Sequence, residues 1–122
     1  MEKWIKFTLL FFVILIFLSC KEEEPDNVTD EMYVTITNSE TYEYDFMISG
    51  DEEGAIIKTQ AQHFLISEIV RDATTNWSVV YHYKPQDDFF GKDFVEIQTC
   101  TGGQSTGCTD LGIVRINFTI TN

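Results

Sequence analysis

The sequence predicts an all-β protein, a single sandwich of about seven strands. Three observations predict it. From Met32 onward, apolar side chains recur at every second position in short runs. Turn-forming residues break those runs at short intervals, and no long helical period competes with them. Ten Phe, five Tyr and two Trp supply bulk for a core, even after some are lost from the N-terminus. The 122 residues suffice for one small domain and not for two.

The elements follow in order. Val34 and Ile36 face one way, with Tyr33, Thr35 and Thr37 opposite. After a turn at "TNSE", the run "TYEYDFMI" puts Tyr42, Tyr44, Phe46 and Ile48 on one face and Glu43, Asp45 and Met47 on the other. Residues 49–54 form a loop with glycine near each end, and "AIIKT" is a short strand. In "QHFLISEIV", Leu65 and Ile69 have helical spacing, but β-branched content and short length favour a strand. "RDATTN" turns the chain into "WSVVYHY", with Trp77, Val79, Tyr81 and Tyr83 on one face. "DFVEIQTC" and "GIVRINFTI" finish the domain. In the last strand, Val114, Ile116, Phe118 and Ile120 alternate with Arg115, Asn117 and Thr119.

The N-terminus has a different composition. Lys3 and Lys6 precede an almost wholly apolar run, Phe7 to Leu18, and the small Ser19 precedes Cys20. This is the layout of a secretory signal. The run is shorter than the roughly 20 residues a spanning helix needs. "FLSC" resembles the lipobox of bacterial lipoproteins. The resemblance implies cleavage before Cys20 and a diacylglycerol on its thiol. Phe17 stands where Leu is usual, a departure tolerated in lipoproteins of the Bacteroidetes type. The alternative is an uncleaved anchor helix with an incidental cysteine. Both readings place the domain outside the cytoplasm.

Lys21, Glu22, Glu23 and Glu24 follow the cysteine at once. The tetrapeptide resembles the export tag of Bacteroidetes surface lipoproteins, which implies a lipid-anchored position on the outer face of the outer membrane. The plainer alternative is a solvated spacer. The expected organisation is a signal peptide over 1–19, a lipidated cysteine and acidic, disordered tether over 20–31, and the sandwich over 32–122.

Charge narrows the partners. Residues 1–19 hold Lys3, Lys6 and Glu2; without them six basic and nineteen acidic side chains remain, a net charge near −13. Such a surface argues against nucleic acid as a partner, because that needs a basic footprint. It also disfavours electrostatic adhesion to an anionic bilayer, so attachment to membrane falls to the lipid.

Residues 83–93, "YKPQDDFFGKD", carry a second resemblance. The skeleton Tyr83, Pro85, Phe89, Gly91 and Asp93 resembles a signature of immunoglobulin-like, cadherin-like modules of bacterial surface proteins. It implies an immunoglobulin-like Greek-key sandwich closed by the last alternating strand. Asp88 departs from the glycine often found there. The chemistry suits a structural role. Pro85 removes an amide donor and ends pairing. Phe89 can tuck into the open end of the sandwich, Gly91 permits a positive φ, and Asp93 can accept hydrogen bonds from turn amides. A calcium site of Asp87, Asp88 and Asp93 is the functional alternative, weakened because the stretch lacks the ligand spacing of a known calcium loop.

Cys100 and Cys108 bracket the glycine-rich "TGGQSTG" in the final hairpin. Several modules of the resembling family carry a cysteine pair here, which implies a structural disulfide. Free thiols and a metal or redox site remain as alternatives. His63 and His82 stand alone on strand-like segments, and Asp51, Glu52 and Glu53 sit at a loop tip. No nucleophile elbow, HExxH, P-loop or dinucleotide turn is present, and no catalytic residue is assigned. The expected function is that of a non-catalytic surface lipoprotein binding a protein or glycan, with no cofactor besides its covalent lipid. A periplasm-facing assembly lipoprotein is the alternative, and a small enzyme or enzyme inhibitor stands behind both.

Overall fold

The computed structural model describes residues 28–101 and 109–122. The signal region, Cys20, the Lys21–Glu24 tag and Cys108 lie outside the described residues. Seven strands are present: β1 (Val28–Thr37), β2 (Tyr42–Asp45), β3 (Glu53–Thr59), β4 (Phe64–Val70), β5 (Val80–Pro85), β6 (Gly91–Thr101) and β7 (Thr109–Thr121). A single 3₁₀ turn, Ala73–Thr75, joins β4 to β5 among the described residues.

The strands form two sheets, ordered β1-β7-β6-β3 and β2-β5-β4. β1 runs parallel to β7, and every other pairing is antiparallel. This order is consistent with an immunoglobulin-like Greek key. The two inner faces follow from the period-two alternation in the sequence. Val95, Ile97, Ile116, Phe118 and Ile120 project from the larger sheet, and Tyr81 and Tyr83 from the smaller one. Tyr83 stacks on Phe118 across the core with ring centroids 4.0 Å apart, and Tyr42 meets Phe118 edge-on at 5.5 Å. Burial of each such ring contributes about 1.5–3 kcal/mol. The Tyr81 hydroxyl meets Ser67 Oγ at 2.7 Å, which satisfies its polar end.

The outer face of the larger sheet carries a polar row across all four strands. Register places Glu31, Arg115, Glu96 and Thr59 side by side. Arg115 Nη1 donates to Glu96 Oε1 at 3.0 Å, and Thr59 Oγ1 donates to Glu96 Oε2 at 3.0 Å. The guanidinium also lies 3.9 Å from the centre of the Phe94 ring. Glu96 is therefore buried at an outward position with both carboxylate oxygens satisfied.

Two expectations change. β1 starts at Val28, four residues before the apolar alternation at Met32. Pairing with β7 carries it: Thr29 Oγ1 donates to the Ile113 carbonyl at 3.1 Å and accepts from the Ile113 amide at 3.0 Å. Gly112, at φ +153°, makes room, because a Cβ there would run into the Thr29 hydroxyl. Second, Trp77 leaves the buried face of its run. Val79, Tyr81 and Tyr83 are buried, whereas Trp77 is 60% exposed. Asn76 and Trp77 both adopt left-handed backbone, at φ 52° and 63°, which turns the indole outward before β5 begins.

The strand directions define two ends. At one lie Val28, residues 46–52 between β2 and β3, residues 71–79 between β4 and β5, and the paired strand ends Thr101 and Thr109. At the other lie residues 38–41, 60–63 and 86–90, and Asn122.

Candidate functional site

At the Asn122 end, the skeleton Tyr83–Asp93 is assembled around one carboxylate. Asp93 is 6% exposed. Its Oδ1 accepts from the amides of Gln62 and Phe94, each at 2.9 Å. Its Oδ2 accepts from the His63 amide and the Tyr83 hydroxyl, each at 2.9 Å. One side chain thus ties the β3–β4 turn, β5 and β6 together. Burial pushes the Tyr83 phenol well above its ordinary pKa, and the hydrogen bond to Asp93 adds to the shift. Burial also raises Tyr81, opposed by the Ser67 hydrogen bond.

Phe89 packs against the core and stacks on His63, with ring centroids 4.1 Å apart. Gly91 sits at φ +131°, a region that L side chains rarely adopt. Pro85 closes β5 and is fully buried. Asp87 and Asp88 line a shallow recess of about 400 Å³ with Gln86 and Phe89. Asp93 belongs to the interior instead, with both oxygens taken by four donors. Among the described residues, no group of three His, Cys, Asp or Glu side chains could hold a metal ion.

The Val28 end is built differently. Arg71 donates to the carbonyls of Ser49, Gly50 and Glu53 at 2.8, 2.7 and 2.6 Å, and to that of Trp77 at 3.1 Å. The guanidinium fork suits this cluster of acceptors and joins loop 46–52 to loop 71–79. Asp45 Oδ1 accepts from the Met47 amide at 2.8 Å and from the Ser78 hydroxyl. Hydrogen bonding, foremost to Ser78, holds the Asp45 carboxyl below its usual value. Asp72 caps the 3₁₀ turn, and its pKa is lowered chiefly by the Thr74 hydroxyl.

Two large apolar side chains project from these loops. Met47 is 84% exposed and Trp77 60%. The Phe46 amide bonds to the Val79 carbonyl, and the Val79 amide to that of Ile48. Met47 is therefore the residue pushed out of the ladder, opposite Val79, two residues beyond Trp77. Both have left-handed backbone, at φ 59° and 63°. Alternation in the sequence places Met47 with Glu43 and Asp45 and Trp77 with Val79, Tyr81 and Tyr83. The signal available was an apolar residue at a polar-face position, and an Asn-Trp pair straight after a turn. Nothing local in the sequence marks Arg71 as the clasp of two loops.

The remaining candidates do not converge. His82 lies on the outer face of the smaller sheet, in register between Glu43 and Glu68. Its Nδ1 is 3.5 Å from Glu43 Oε1. It lines a groove of about 550 Å³ with Glu43, Asp45, Thr74, Thr75, Asn76 and Val80. His63 belongs to the Asn122 end, and Asp51, Glu52 and Glu53 to the other, so strand direction separates them by most of the sandwich length. Cys100 is buried near the end of β6. No protein-family model, curated protein or solved structure matches this chain, so its reading rests on residues and geometry alone.

Proposed function

We propose that this chain is a non-catalytic, lipid-anchored envelope protein of the Bacteroidetes type. It displays one immunoglobulin-like domain on the outer-membrane surface and binds a protein or glycan there. The observation that carries the reading is the junction "FLSCKEEE", whose Cys20 stands eight residue steps before the first strand of a self-contained sandwich. An apolar run ending in a cysteine, then one basic and three acidic residues, then a folded domain, is the order that lipidation and surface export require. The high negative charge supports it, since lipid must supply the membrane attachment that charge opposes. Cys100 and Cys108 form a structural disulfide in this reading, consistent with an oxidising compartment.

Protease treatment of intact cells tests it, using an enzyme too large to cross the outer membrane and a periplasmic protein as internal control. Digestion of the domain while the control survives supports surface display. Survival until lysis moves the protein to the periplasmic side, where an assembly role replaces surface binding. A precursor with Cys20→Ser should keep its full length and lose its lipid. Processing that continues unchanged would remove the lipoprotein reading.

A further inference from the structure

We propose that the Val28 end of the domain rests on the lipid surface that anchors it, with Trp77 and Met47 seated in the interfacial layer of the bilayer. The inference rests on the lipid anchor at Cys20 proposed above, and it adds an orientation and a contact surface.

Three observations carry it. The first is the length of chain between anchor and domain. Val28 follows Cys20 by eight residue steps. Fully extended, they reach about 26–29 Å, and as a flexible coil about 14–17 Å. β7 alone, with 13 residues, is roughly 40 Å long. The tether is shorter than the domain, so the end at which the chain enters must face the membrane. The second is the direction of β1. It runs parallel to β7 from Val28, opposite Ile113, to Thr37, opposite Thr121. The entry point is thus at the end carrying loops 46–52 and 71–79.

The third is what those loops present. Among the described residues, Met47 and Trp77 are the two most exposed large apolar side chains of the loops at that end, and each is turned out by a left-handed residue. Arg71 clasps both loops by four hydrogen bonds, so the pair is displayed on a fixed platform. Tryptophan prefers the membrane–water interface, where its ring is half in hydrocarbon and its N–H stays wet. The short tether supplies a high local concentration, so a small apolar contact suffices. Asp45, Asp51, Glu52 and Asp72 lie on or beside the same two loops and are exposed. They oppose an anionic surface, so the seat suits zwitterionic headgroups. The Asn122 end, with Phe90 51% exposed, is then the end held outward for a partner.

Trp4 lies in the signal region, so Trp77 is the only tryptophan of the processed chain. That makes fluorescence a direct test. The full lipidated protein is purified from membranes and its mass is measured for a diacylglycerol on Cys20. It is then reconstituted into phosphatidylcholine vesicles with and without brominated acyl chains. The expected result is a shift of Trp77 emission to shorter wavelength and quenching by the brominated lipid. A chain of residues 21–122, which lacks the lipid, the apolar leader and Trp4, should show neither with the same vesicles. Met47→Asp should lose the quenching while melting as the parent does. A lipidated chain that floats with the vesicles, yet keeps water-like emission and no quenching, overturns the proposal and leaves this end to a soluble partner. An unmodified Cys20 overturns the anchor itself, and the orientation falls with it.

Discussion

Replacing Asp93 with asparagine keeps the size of the side chain and removes its charge and one acceptor. Four donors converge on the two carboxylate oxygens, two on each. An amide can satisfy two of them with its oxygen. Its NH₂ group must then face the other two. Turned toward Oδ1, it confronts the amides of Gln62 and Phe94, neither of which can accept. Turned toward Oδ2, it meets the His63 amide and the Tyr83 hydroxyl. The hydroxyl can rotate, because the His63 carbonyl lies 3.3 Å away as a second acceptor. The better orientation still leaves one amide without a partner and weakens the charge-assisted bonds that remain. One unsatisfied buried donor costs about 1–3 kcal/mol, and loss of charge assistance adds to it. We expect a destabilisation of about 2–4 kcal/mol, a large share of the ~5–15 kcal/mol available to a domain. For a domain of this size that lowers the midpoint by on the order of 10–25 °C. Thermal unfolding of the unlipidated chain, followed by circular dichroism, reads it. Tyr83→Phe is the companion variant. It removes one of the four donors and leaves the carboxylate bonded, so it should cost about 1 kcal/mol. An Asp93→Asn chain that melts within a degree or two of the parent would refute the claim that Asp93 joins β5, β6 and the β3–β4 turn.

Other outcomes follow from the same geometry. Gly91→Val should destabilise by about 1–3 kcal/mol through backbone strain at φ +131°, since the nearest atom to its Cβ, in the Phe89 ring, is at an ordinary 3.5 Å; an unchanged melting curve would show that the strand start relaxes freely. Arg71→Ala should speed amide exchange in loops 46–52 and 71–79 while β6 and β7 stay protected, and Arg71→Lys should restore little, because an ammonium lacks the fork. Alkali should progressively destabilise the domain from about pH 10 upward. The phenols of Tyr81 and Tyr83 are raised in the fold, so the unfolded chain loses those protons first, near pH 10; their stabilisation is complete below that pH and declines as pH rises toward the folded values. Stability that is flat to well above pH 10 would contradict their burial.

Period-two alternation was enough to read strands at β2, β5, β6 and β7, because each has one face in the core and one in water. β4 was harder, since Leu65 is the extra residue of a bulge and its exposure breaks the alternation. The start of β1 was illegible. Residues 28–31 have no apolar pattern of their own and are held by a partner 85 positions away in the chain. The inward turn of the Tyr83–Asp93 stretch could be argued from Pro85, Gly91 and a short polar side chain. The partners of Asp93 could not, because two come from residues 62 and 63, about 30 positions earlier. Trp77 misled for a general reason. Hydrophobicity predicts burial only where the backbone stays extended, and two left-handed residues ended that condition.

The parallel pairing of β1 with β7 has a mechanical consequence. Under the proposed lipid anchor, tension would enter at Val28 and run along β1, while a load on the opposite end would pull along β7 in the opposite sense. The two strands are then forced to slide past each other, and the hydrogen bonds between them resist together. Had β1 been antiparallel to its neighbour, with the same entry point, the same pull would open the ladder one bond at a time, like a zip. Single-molecule extension between residues 28 and 122 should therefore need a much higher force than extension between 28 and 109, whose attachment points lie at the same end. A domain fixed at one end to a membrane and loaded at the other is strongest along the line on which it is pulled.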